Sequence, residues 1–416
     1  MGFFTRNLVT VPKNLAAITT IDAAAECRPE DAGMTRASVD AIWKAVEDYY
    51  RTGLQPMISL TLRRHGRIVL KRSIGYTHGG GPGDEGVEPV LATPETPVCL
   101  FSASKAVTAM LLHKLHELGK LKLDDPVTKY LPEYGAGGKG DTTIRHLLTH
   151  RAGIPQIAIS DVDPRTVFDW DAVIEKLCAA KPVYRRDEYQ AYHAITGGFI
   201  LGEVARRVGG ASLHKLMKKW IAKPLGARHM TYGMPKGVRE LAATNYYTGS
   251  KQRFPMTVLA RRILGVEFDR VVEISNDPQF LSSVIPAGNL YATADEIGRF
   301  YQMMLNQGEY EGQRLFKAET IAEAVRPYGH ITFDRTLFLP IRFSAGMMLG
   351  EWPAGVFGPD CANAYGHLGF LTILAWADPD RDISVGFVNS GKTIAAPAIW
   401  SCAKLVYAIN SGCQRI

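Results

Sequence analysis

Residues 35–51 (TRASVDAIWKAVEDYYR) carry apolar side chains at helical spacing behind Thr35, whose hydroxyl suits the cap of a first turn, and predict an amphipathic helix. The period then changes. Two apolar runs between Met57 and Tyr76 flank His65-Gly66 and predict a β-hairpin. The Gly/Pro-rich stretch THGGGPGDEG that follows is expected to be an exposed, mobile loop. From Ser102 to about Gly265 helical spacing dominates, as in SASKAVTAMLLHKLHELGKL, IRHLLTH, DWDAVIEKLCAA and AITGGFILGEVARRVGG. Strand-like runs return in RFSAGMMLGEW, GFLTILAWADP and DISVGFVNSG, the last two joined by a turn at Asp378-Pro379-Asp380-Arg381, and AIWSCAKLVYAIN reads as a closing helix. Strands at both ends of the chain around a helical middle predict an α+β fold, an antiparallel sheet flanked by helices. Its sheet domain is discontinuous, residues 1–101 and 266–416. Residues 102–265 form a mainly helical insert, with the active site at the interface.

Composition narrows the function only a little. A chain of 416 residues is near the upper limit for one core, and 46% apolar with 21% charged residues describes an ordinary globular protein. The net charge of +7 is scattered, with only short basic pairs (Arg185-Arg186, Lys218-Lys219 and Arg261-Arg262). No basic stripe is interleaved with aromatics, so no nucleic-acid partner is expected. Six cysteines without a CxxC pair fit neither a zinc knuckle nor a disulfide framework, and predict reduced, mostly buried thiols. Thr19, Thr20 and Asp22 interrupt the mildly apolar N-terminal stretch, a poor export signal. The longest apolar run, HLGFLTILAWA, is too short to span a membrane and reads as a core strand. A cytoplasmic protein is expected; the pattern fixes no oligomeric state.

Two nucleophile signatures compete. His78-Gly79-Gly80-Gly81 looks like the oxyanion motif of α/β-hydrolases, but that chemistry needs a later G-x-S-x-G elbow, and the chain has none. The other is S-x-x-K, which occurs three times, beginning at Ser102, Ser212 and Ser401. Ser212 reads as a helix cap and Ser401 falls on the closing helix. Ser102 alone follows an extended segment and opens a strongly apolar helix, whose free N–H groups favour developing negative charge. Lys105, three residues on, shares its helical face. Among Ala103, Ala106 and Ala109 it can be desolvated, which lowers an ammonium pKa and leaves an amine able to accept the serine proton.

Around and beyond Ser102 the chain resembles the serine β-lactamase superfamily, specifically the class C β-lactamase-like carboxylesterases known as family VIII esterases. ETPVCLFSASKAVTAMLL is similar to the family's T-x-F-x-x-x-S-x-x-K helix, with Val98 in the phenylalanine place. LKLDDPVTKYLPEY and TIRHLLTHRAGIP resemble its next two segments, and YHAITGGFILGEVARRVGG its Y-x-N element. PAGNLYATADEIGRF and YGHLGFLTILAWADPDRDISVGFVNS follow in the family's order, the latter with H-x-G in place of K-T-G. The resemblance implies a β-lactamase/transpeptidase-like fold, Ser102 as acylated nucleophile, Lys105 as proton acceptor and Tyr192 sharing the base role as a phenol whose pKa a neighbouring ammonium would lower. It implies an oxyanion hole from the backbone N–H groups of Ser102 and Phe370, with Gly369 letting substrate lie close to its strand.

Two departures shift the expected chemistry. His367-Leu368-Gly369 puts a titratable imidazole where penicillin-recognising enzymes hold a fixed cation. Ala194 stands where Y-x-N has an amide, removing a donor and acceptor for an acylamide side chain, and His193 beside Tyr192 reads as structural. The expectation is a carboxylesterase for short- to medium-chain acyl esters, its partner a small-molecule ester. The alternatives are a β-lactamase, a D-amino-acid peptidase or transacylase on the same site, or a non-catalytic scaffold of the same fold. No HExxH or comparable ligand cluster is present, so no metal or other cofactor is expected.

Overall fold

The computed structural model describes residues 7–156, 164–252, 254 and 256–416, apart from the side chains of residues 164, 256, 259, 262 and 264. The start of the N-terminal stretch and the side chain of Arg262, both weighed above, lie outside the described residues.

The main sheet draws its strands from both ends of the chain. Among the described residues, nine strands lie along one antiparallel sheet: β1 (Thr19–Ile21), β2 (Met57–Arg64), β3 (Arg67–His78), β4 (Thr332–Asp334), β5 (Leu339–Phe343), β6 (Met348–Leu349), β7 (Tyr365–Gly369), β8 (Ile373–Asp378) and β9 (Ile383–Asn389). Their order is β1-β3-β2-β9-β8-β7-β6-β5-β4, and a tenth strand, Val90–Leu91, pairs with β3. The N-terminal hairpin and the C-terminal strands therefore meet at β2–β9, where Leu60 opposes Phe387 and Leu62 opposes Val385. Every residue of β2 and β9 is buried, so both faces of the sheet are covered.

The helices that bear on the site are α1 (Arg36–Tyr50), α2 (Ser104–Glu117), α3 (Trp170–Ala179), α4 (Thr196–Gly209), α5 (Phe268–Ile274), α6 (Ala294–Leu305) and α7 (Ala396–Gly412). Thr35 caps α1 through a capping box with Ser38. Helices α1 and α7 pack together on one face, over Leu60, Leu62, Phe387 and Trp376. Helix α6 covers the other face, where Gly386 is required: a Cβ there would strike the carbonyl of Ala294. Arg63 points to that side and is ion-paired with the buried Asp295 of α6. Helices α2 and α4 pack on each other.

Two local expectations are corrected. The His78–Gly81 stretch is not a loose loop. It leaves β3 against solid walls, since a Cβ at Gly79 would meet Glu88 backbone and one at Gly81 the ring of Tyr246. Asp84 fastens it by accepting from Gly81 N and Tyr246 Oη. The run HLGFLTILAWA is not one strand but a hairpin, β7 and β8, with Gly369 opposite Ile373. Phe370 and Leu371 make the reversal in left-handed conformation, φ 46° and 70°, a cost that bulky residues bear only where their surroundings dictate it. All six cysteines are free thiols, five of them buried. Among the described residues no helix is long and apolar enough to cross a membrane.

Candidate active site

Ser102 sits in a short 3-10 turn, Phe101–Ala103, that leads directly into α2. The turn is fixed from outside. Leu100 N donates to Leu290 O (2.8 Å), and Leu290 N donates to Ser104 Oγ (3.0 Å), so the strand Leu290–Ala292 holds the chain on both sides of Ser102. Phe101 takes φ 45°, again left-handed. Sharp reversal at Phe101 delivers Ser102 to a cavity rather than to the helix interior.

Lys105 lies one helical turn on, with Nζ 3.2 Å from Ser102 Oγ. The amine also donates to Ala194 O (2.7 Å) and Ala287 O (3.1 Å), and its nitrogen stands 4.7 Å from the centroid of the Tyr192 ring. Burial holds its pKa well below the ordinary 10.5. Two carbonyls consume two N–H groups, so an amine that is neutral offers its remaining lone pair to Ser102.

Tyr192 is buried and set by its backbone: Tyr192 N donates to Asp334 Oδ1 (3.0 Å), which also accepts from Thr336 N and Leu337 N (both 2.9 Å). Its hydroxyl interacts with Ser102 in the sense that favours ionisation, yet meets no partner at hydrogen-bonding geometry among the described residues. Burial dominates and raises the phenol pKa. The expected tyrosinate beside an ammonium is thus corrected. In this dry cluster burial pushes the amine's pKa down and the phenol's up, so desolvation disfavours charge on both.

The histidines nearby are neutral. His367, on β7, donates from Nδ1 to Leu368 O (2.7 Å) and leaves Nε2 buried without a partner among the described residues. Burial, aided by Lys105, pushes its pKa down to about 3. The titratable imidazole expected here is therefore a fixed neutral one. His193 spends both ring nitrogens on backbone, Nδ1 donating to Ala191 O (2.7 Å) and Nε2 accepting from Ile154 N (3.2 Å), a structural part as expected. His150, which sequence reasoning passed over, packs with its ring tilted 4.6 Å from that of Tyr192 and accepts from His193 N (3.2 Å).

Gly369 ends β7 so close to the turn that carries Ser102 that a Cβ would strike Leu100 O. Immediately after it, the Phe370 ring packs 4.6 Å from that of Phe101 and 4.5 Å from that of Phe268. Ser102 and Phe370 border a cavity of about 170 Å³ whose remaining wall is overwhelmingly apolar and includes Val173 and Leu177 of α3, Phe199 of α4 and Ile274 of α5. Sequence reasoning missed this wall, because its residues lie on separate helices with ordinary amphipathic patterns.

Fold and site together define a member of a serine-based superfamily built on this sheet. The family model for Beta-lactamase matches residues 44–398, and the chain belongs to that family. Its relatives include Esterase/beta-lactamase LipL of Mycobacterium tuberculosis, 28% identical over 307 residues, which span 70% of this chain and 68% of the relative. Among solved structures, a penicillin-binding protein homologue from Caulobacter crescentus superposes with TM-score 0.76 at 26% identity, covering 91% of this chain and 98% of its own. A family VIII carboxylesterase superposes equally well, TM-score 0.76 at 24% identity over 90% and 98% of the two chains.

Proposed function

We propose that the protein is a serine carboxylesterase acting on short- to medium-chain acyl esters. One observation carries the reading: a desolvated amine, Lys105, lies 3.2 Å from Ser102 Oγ at the edge of an apolar cavity. Ser102 gives its proton to Lys105 Nζ as Oγ attacks the ester carbonyl, and the oxyanion is received by the N–H groups of Ser102 and Phe370. Tyr192 Oη protonates the departing alkoxide and is reprotonated by the Lys105 ammonium as the C–O bond breaks. Water then attacks the acyl-enzyme by the reverse proton path, releasing the acid. Relatives named as esterases support the activity.

The neutral His367 and the apolar wall favour neutral esters over β-lactams, whose carboxylate would want a fixed cation. A cavity near 170 Å³ compares with the roughly 150 Å³ that accommodates benzene, which suits acyl groups of up to about six carbons. The seam between residues 102–265 and the rest of the chain is proposed as the substrate cleft, and the free thiols support a reducing, cytoplasmic setting. The deciding experiment compares kcat/KM for p-nitrophenyl butyrate and nitrocefin. A ratio of about 100 or more in favour of the ester is expected; a ratio in favour of nitrocefin would replace this reading with a β-lactamase.

A further inference from the structure

A second lysine lies buried beside the nucleophile's turn and has no part in the chemistry proposed above. Lys392 follows β9 on a short segment, Gly391–Lys392, that pairs in parallel with Tyr246–Tyr247. It is fully inaccessible. Its Nζ donates to Asn389 O (2.5 Å) and stands 5.2 Å from the centroid of the Phe101 ring, the residue immediately before Ser102. The Cys99 thiol is its other electrostatic neighbour.

The same group reaches the other half of the oxyanion site. Asn389, whose carbonyl holds Lys392, donates from Nδ2 to Thr372 O (2.7 Å) and accepts from Thr372 Oγ1 (3.2 Å). Thr372 closes the tight reversal that starts at Phe370. Phe101 and Phe370, each held left-handed, pack ring against ring in a tilted contact across the gap. The backbone N–H groups of Ser102 and Phe370 thus belong to two strained turns, and the Lys392–Asn389 pair touches one through a ring face and the other through a two-point amide clamp.

The segment bearing Lys392 is itself clamped. Gly391 N donates to Gln55 Oε1 (2.9 Å) and Gln55 Nε2 donates to Gly391 O (3.2 Å) and Tyr49 Oη (2.8 Å), while a Cβ at Gly391 would strike Leu54 O. A buried amine with so few hydrogen-bond acceptors is an expensive way to fill space, and an unbranched apolar side chain would fill it at lower cost. Burial lowers the Lys392 pKa to about 7, which measures that cost.

We propose that Lys392, with Asn389, is a positioning residue for the oxyanion hole: it braces the Phe101 turn and the Phe370 turn against each other so that their two N–H groups converge. The inference rests on the esterase reading of Ser102. It predicts a loss specific to the tetrahedral state, since the turns hold donors that matter most when the oxyanion forms.

The test uses the full chain with Lys392→Met and Lys392→Gln, the amide of the latter still able to donate to Asn389 O. Expected for Lys392→Met is a kcat on p-nitrophenyl butyrate about tenfold lower or worse, with KM within about twofold. Phenylboronic acid, which mimics the tetrahedral adduct on Ser102, should bind about tenfold more weakly or worse. Lys392→Gln should recover part of both losses. If Lys392→Met is as stable as wild type yet keeps wild-type kcat and boronate affinity, the brace is overturned while the esterase reading stands. Equal losses in substrate and boronate affinity would also overturn it, since they mark general damage to the pocket. If Lys392→Met proves unfolded, Asn389→Ala is read in the same two assays and decides in the same way. A wild-type chain inert to both the ester and the boronate would overturn the brace together with the reading beneath it.

Discussion

Lys105 Nζ stands 3.2 Å from Ser102 Oγ and is tied at the same time to the carbonyls of Ala194 and Ala287. Those two ties hold the lysine in place, while the burial around it lowers its pKa. Replacing Ser102 by Ala should lower kcat for p-nitrophenyl butyrate roughly a thousandfold or more, and Lys105→Ala should fall in the same range. Because Lys105 is already deprotonated well below 10.5, the wild-type kcat/KM should reach its plateau far short of that pH. A rate still climbing toward about pH 10, the range of an ordinary lysine, would remove Lys105 from the base role.

Tyr192→Phe separates catalysis from folding. The hydroxyl is buried with no hydrogen-bond partner among the described residues, so its loss should leave Tm unchanged or raise it slightly. The rate should nevertheless fall about 100-fold to 10,000-fold, the range for losing a proton donor to the leaving group. A stable variant with full activity would assign leaving-group protonation elsewhere.

Buried imidazoles make the fold acid-sensitive. His113 and His193 are held at about 4 and His367 at about 3, with His150 also well below the ordinary 6.5. The unfolded chain binds these protons near 6.5 and the folded chain does not, so the stability they contribute is complete above that pH and is lost as pH falls toward 4. The slope is about 1.4 kcal/mol per pH unit for each imidazole. Buried Asp334 and Asp378, with raised carboxyl pKa values, oppose it only in part. Urea midpoints at about pH 7.5 and about pH 5 should differ clearly, the lower on the acid side; equal midpoints would contradict the neutral cluster.

Acyl length is the property most exposed to a single wall residue. Val167 is half-buried at the edge of the cavity, so Val167→Phe narrows it without overpacking the core. The ratio of kcat/KM for p-nitrophenyl hexanoate over acetate should drop about tenfold or more. An unchanged ratio would mean that the acyl chain leaves Ser102 in another direction.

Features set by neighbours along the chain were legible without coordinates. The hairpin at His65-Gly66, the helix capped by Thr35 and the closing helix follow from side-chain period and turn chemistry, which act within a few residues. The pairing of Ser102 with Lys105 was legible for the same reason, because three residues apart on a helix is a fixed geometry. Tertiary structure decided the rest. It split HLGFLTILAWA into a hairpin, since the left-handed turn at Phe370-Leu371 carries no Gly or Asn to announce it. The pKa shifts of Lys105, Tyr192 and His367, and the apolar wall, depend on groups brought in from distant parts of the chain. Burial sets pKa values and cavity shape, and burial is a property of the packed chain that no window of sequence contains.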